Sequence, residues 1–227
     1  VSKQLPPQQT KKTLSKSDIA HGEHQLRAML TDRPRMMTYV TSGDPVWNWM
    51  IRQFAGEAVG TKIWWSRENP LGPSIADHIV PERGISGAIR VRNSDSKGRI
   101  LSGEEMWVAA TFELFNIRNA REFTKATADA YAGVISKDEF VNQNMKLEFK
   151  ASRSQREFYQ SVWLPHLRAI GKKSNETCWP RQITESDEEL LQYEKALRSY
   201  NYCYWSDGYS RTIAPFLSSR ARARRKP

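Results

Sequence analysis

A chain of 227 residues can fold as one large domain or two small ones, and 39% hydrophobic against 26% charged residues is an ordinary globular balance. No apolar run approaches the length of a membrane span, so none is expected. The net charge of +10 sits mostly at the ends, +4 in residues 1–17 and +5 in residues 220–227, which leaves the body near +1 and argues against a broad nucleic-acid groove.

Residues 1–16, with Gln, Pro, Lys and Ser and no apolar periodicity, read as a disordered basic tail. Ser17 then starts a helix to about Leu30 with Ile19, Ala20, Leu26, Met29 and Leu30 as apolar members. His21 and His24 share a face of it, but with no third ligand nearby they read as solvated histidines. Asp44-Pro45 opens a second helix as N-cap and first-turn proline, with a stripe of Val46, Trp49, Met50 and Phe54, ending near Gly56 or Gly60.

Thr61–Trp65 reads as a short strand, Arg67–Pro73 as a loop, and Ile75–Pro81 and Gly87–Asn93 as two more strands. In the last, Ile89 and Val91 are expected inward and Arg90 and Arg92 outward. A turn over Asn93–Gly98 leads to the S-x-x-E capping box of Ser102 and Glu105. The helix it opens carries Met106, Trp107, Ala109, Ala110, Phe112, Leu114 and Ile117, so most of it should be buried. Glu113 lies inside that run and needs a partner or a purpose. Arg118 or Arg153 is the bland partner, in which case this is an ordinary core helix.

Asn119 starts a helix to about Tyr131, and the capping box Ser136-x-x-Glu139 opens a long one to Leu164, before Pro165. After a loop over Asn175–Thr184, Ser186-x-x-Glu189 caps a helix to about Tyr200. The aromatic stretch with Tyr200, Tyr202, Tyr204, Trp205 and Tyr209 reads as irregular, closing a core edge. Arg220–Lys226 is a solvated basic tail that would attract an anionic partner without specificity. Cys178 and Cys203 are either bridged, as in an exported chain, or two buried thiols, as in a reducing compartment. The first residue is Val1 rather than Met, as in a chain processed upstream of this point.

The order strand, turn, capped buried helix and later helix over residues 87–151 resembles the core of a minimal zincin-type metallopeptidase of the gluzincin kind. That family carries H-E-x-x-H on the first helix and a glutamate ligand on the later one. Two histidines one turn apart hold zinc and the glutamate acts as general base on the metal-bound water. Here the five positions read Phe112-Glu113-Leu114-Phe115-Asn116, with Glu148 at the position of the third ligand. The resemblance thus implies a vestigial general base at Glu113 and degenerate ligand positions at Phe112, Asn116 and Glu148. It implies a zinc site lost, no cofactor, and a cleft kept as a pocket or filled by Phe112.

A second stretch, Asp77-His-Ile-Val-Pro81, resembles the start of HNH nucleases, in which the histidine is general base and a metal holds the scissile phosphate. On that likeness Asp77, His78 and Asn93 form an alternative site, although the scaffold cysteines and the late metal-facing residues of that family are missing. The sequence therefore leads to an α+β fold: a mainly helical, zincin-like domain over residues 17–217 with a small antiparallel sheet, between basic tails at 1–16 and 218–227. The expected function is a non-catalytic binding or structural role. The alternative is a metal-dependent hydrolase, either a peptidase with unusual ligands or an HNH-like nuclease using His78.

Overall fold

The computed structural model describes residues 12–81 and 86–223. The fold is α+β, 63% helical with one three-stranded sheet. It divides into two compact units: residues 1–118 with 157–179, and residues 119–156 with 180–227.

In the first unit, α1 (Lys16–Asp32) is capped by Ser15 and Asp18 in a reciprocal box, two residues before the expected start at Ser17. Lys12, inside the expected tail, pairs with Asp18 at 3.0 Å. These contacts hold the Asp18 carboxyl well below its usual range. The short α2 (Pro34–Met37) leads to α3 (Pro45–Phe54), where Asp44 caps the Trp47 amide as expected from Asp-Pro. Helices α1 and α3 meet at Gly22, where an added Cβ would lie 2.1 Å from the Ile51 carbonyl oxygen. Only a glycine allows that approach.

Strands β1 (Ile63–Trp65), β2 (Ala76–Ile79) and β3 (Gly87–Val91) form a sheet in the order β1-β3-β2. The β1–β3 pair is parallel and the β2–β3 pair antiparallel, so the sheet is mixed rather than antiparallel as expected. Being central, β3 is buried along its whole length. Arg90 is therefore buried rather than outward, a correction that follows from coverage of both faces of a middle strand. The Gln25 side chain accepts the Trp65 amide at 3.0 Å, and Arg33 donates to the Val91 carbonyl through Nε at 2.8 Å. These two buried polar side chains of α1 and its end satisfy backbone groups of the sheet.

Helix α4 (Gly103–Arg118) follows, with the Ser102–Glu105 box realised in both directions at 2.8 and 3.1 Å. Trp107 is fully buried and donates its indole N–H to the Met36 carbonyl at 3.0 Å. The unit is completed by a π-helical turn over Tyr159–Trp163, α7 (Leu164–Ala169) and a 3-10 turn over Glu176–Cys178.

The second unit contains α5 (Ala120–Ala132), most of α6 (Lys137–Phe158), α8 (Asp187–Leu197), α9 (Tyr200–Gly208), a π-helical turn over Tyr209–Ile213 and α10 (Ala214–Ala223). Its core comprises Ala126, Ala130, Phe140, Val141, Met145, Phe149, Leu190, Leu191, Tyr209 and Ile213. Trp205 stacks on Phe123 with ring centroids 5.4 Å apart. The aromatic stretch expected to be irregular is thus helical, and the helix continues through Ala223 into the expected tail.

Both π turns precede a proline by the same spacing, Tyr159…Pro165 and Tyr209…Pro215. In each, the widened turn is closed by an amide bonding back five residues, from Leu164 to Tyr159 and from Ala214 to Tyr209. A proline inside a regular α-helix lacks an N–H and clashes with the carbonyl four residues back. Widening the turn just before it accommodates the ring. Helical structure therefore runs past Pro165 to Ala169 rather than ending at the expected Leu164.

Candidate functional site

Two residues from different expected sites meet inside the first unit. Glu113 lies in the buried middle of α4, and β2 brings His78 to it: His78 Nδ1 and Glu113 Oε2 are hydrogen-bonded at 2.7 Å. Their side chains are only 17% and 11% exposed, so the bond is largely shielded from water. The partner of Glu113 is thus neither Arg118 nor Arg153. Arg118 donates to Gln53 Oε1 at 2.8 Å, and Arg153, in the second unit, pairs with Asp187 at 2.6 Å.

The other expected site residues disperse. Neighbouring residues of a strand point to opposite faces, so Asp77 turns away from His78. It takes Arg90, its register partner, in a bidentate pair at 2.6 and 2.7 Å and also accepts the Leu71 amide at 2.9 Å. This is a cross-strand pair that anchors a loop. Asn93 is exposed and lies four residues past Ile89, the register partner of His78. That is about 13 Å along the strand direction.

Phe112 is half-buried, and Asn116 is buried. Glu148 lies half-buried on α6 in the second unit. Among the described residues no three His, Cys, Asp or Glu side chains come together as a metal site. His21 bonds to the Ile63 carbonyl at 2.9 Å and so serves the fold, whereas His24 is exposed, with the adjacent Gln25 at 3.1 Å. Cys178 and Cys203 are free thiols, and burial pushes the Cys178 thiol up.

Glu104 is the residue that sequence reasoning missed. It sits in the first turn of α4 and is only 3% exposed. Its Oε1 accepts the indole N–H groups of Trp163 and Trp179, both at 2.9 Å, and the Ser174 hydroxyl, and its Oε2 accepts the Asn175 amide at 2.8 Å. Burial alone would raise its carboxyl, but these four donors outweigh that and hold it below the ordinary glutamate range. The Trp163 and Trp179 rings pack 5.2 Å apart, so the carboxylate fixes an aromatic cluster. Its partners lie 59–75 residues away in sequence, and no local pattern announces them.

A cleft of about 500 Å³ opens between the last turn of α4, α3 and the π turn, lined among others by Trp49, Gln53, Arg118 and Val162 and not by His78, Glu113 or Phe112. No helix among the described residues is long and apolar enough to cross a membrane. No family model, no curated protein and no solved structure matches the chain.

Proposed function

We propose that this chain is a non-catalytic, zincin-like protein with a binding or structural role, its zinc site lost. The observation that carries the reading is the 2.7 Å bond between Glu113 and His78. The carboxylate that would activate a metal-bound water is spent instead on joining α4 to β2. Phe112 and Asn116 at the two histidine positions support the same reading, since a phenyl ring binds no zinc and a carboxamide binds it poorly. A buried polar pair of this kind stabilises by satisfying both groups, and each would be costly alone.

The same bond favours a second reading. A histidine whose Nδ1 is held by a carboxylate is oriented as a general base is, so a hydrolase using His78 with Glu113 as its positioning group is the alternative. The test is activity of the full chain on casein, and on plasmid DNA with magnesium or manganese, beside His78→Ala and Glu113→Gln. The non-catalytic reading expects background rates for all three proteins. Turnover by the parent that disappears in both variants would replace it with the hydrolase.

A further inference from the structure

Arg118, the last residue of α4, is a half-buried cation with no ion-pair partner among the described residues. Its guanidinium lies over the Phe115 ring at 4.4 Å and near the Trp49 ring at 5.9 Å. Its sole protein acceptor among the described residues is the neutral Gln53 amide oxygen, at 2.8 Å from Nη2. The Nε atom is shut off from water with no partner. A guanidinium has five N–H donors, so most of them have no protein acceptor among the described residues. The nearest countercharge, Glu57, is held by Arg52 in a two-point pair. Burial accordingly pushes the Arg118 side chain down to about 10, with only a partial opposing effect of Glu57.

This cation lines the open cleft. The remaining walls are the Trp49 indole, Pro45, Val162, Ala58 and the polar side chains of Asn48 and Gln53. An apolar wall with a few converging polar groups and a volume of about 500 Å³ is the usual make-up of a small-molecule site. Of the charged residues in the lining, Arg52 and Glu57 cancel, which leaves the single positive charge of Arg118. One uncompensated guanidinium matches the single charge of one carboxylate, whereas the second charge of a phosphate would find no cation to meet it.

We propose that this cleft binds a small monocarboxylate with a flat apolar body, its carboxylate on Arg118 and its body against Trp49. The inference rests on the binding role argued above and gives it a place and a ligand class. The π turn of the first unit contributes Val162 to the cleft wall.

The full chain is titrated with 3-phenylpropionate, with its neutral amide 3-phenylpropanamide and with inorganic phosphate, by calorimetry and tryptophan fluorescence. The carboxylate should bind and quench the indole signal, while the amide and phosphate should be weaker by about tenfold or more. Arg118→Gln, which keeps a polar side chain of moderate length, should lose the preference for the acid over the amide. Asn48→Trp, at an exposed rim position, should block the cleft and abolish binding without disturbing Arg118. Should Arg118→Gln fail to fold, the rim variant and the acid–amide comparison on the parent decide alone. Equal affinity for acid and amide, tighter binding of phosphate, or binding unchanged in Asn48→Trp would overturn the proposal. Each of these leaves the non-catalytic reading standing, whereas catalytic turnover would overturn that reading without bearing on the cleft.

Discussion

Replacing Glu104 by glutamine changes the least shape for the most electrostatics in the first unit. The amide keeps one acceptor oxygen for Trp163, Trp179 and Ser174, but it loses the charge and sets an N–H₂ group against the Asn175 amide or the indoles. A hydrogen bond to a charged group contributes about 1.5–3 kcal/mol and a neutral one about 0.5–1.5. Weakening three bonds by about 1 kcal/mol each and losing the fourth gives a destabilisation of about 4.5–6 kcal/mol. At about 2–4 °C per kcal/mol for a chain of this size, the melting temperature should fall by roughly 9–24 °C. Tryptophan fluorescence is the suitable assay, since seven of the eight tryptophans, all but Trp205, belong to the first unit.

The same residue fixes a pH dependence. Its carboxyl is lower in the folded chain than the ordinary glutamate value of 4.5, so its contribution is complete above that value and is lost as pH falls through the folded one. The parent should therefore approach Glu104→Gln in stability as the medium is acidified. A melting temperature within about 2 °C of the parent at neutral pH, with no convergence in acid, would refute the assignment of Glu104 as the anchor of the Trp163–Trp179 cluster.

Three further outcomes follow from named contacts. His78→Ala should destabilise by about 1–3 kcal/mol by stranding Glu113, while His78→Phe with Glu113→Leu should recover most of it, and a double variant worse than the sum of the singles would contradict a structural pair. Gly22→Ala places a Cβ against the Ile51 carbonyl and should cost at least about 1–3 kcal/mol in chemical denaturation; a neutral result would mean that α1 and α3 do not approach as closely as described. Deleting residues 1–11 and 224–227 removes five of the ten net charges and should weaken heparin retention with little change in melting temperature; undiminished retention would place the anion affinity in the body.

What the sequence discloses and what it hides divide along range. The boxes at Ser102–Glu105, Ser136–Glu139 and Ser186–Glu189 and the Asp44-Pro45 start all form as expected, because each is closed within three residues. The Ser15–Asp18 box starts α1 two residues before the expected Ser17, and its closing acid is an aspartate rather than the glutamate or glutamine of the usual pattern. Strand positions were legible, but the parallel pairing of β1 with β3 was not, since that choice is made between segments more than twenty residues apart. Arg90 read as outward because alternation assumes one wet face, which a central strand lacks. The helices after Tyr200 were hidden by an aromatic density that resembles a core edge, and by a proline whose π turn no simple periodicity foretells. For the candidate site, Glu113 and His78 were each visible as groups in need of a partner, while their meeting depends on how α4 lies against the sheet.

Zinc stoichiometry is the most direct measurement of the central claim. The purified full chain is equilibrated with a modest excess of zinc, dialysed, and assayed for metal together with Glu113→Gln. With Glu113 tied to His78 and Phe112 and Asn116 at the histidine positions, the account predicts far less than one zinc per chain in both proteins. One tightly held zinc per chain in the parent, lost in Glu113→Gln, would contradict it.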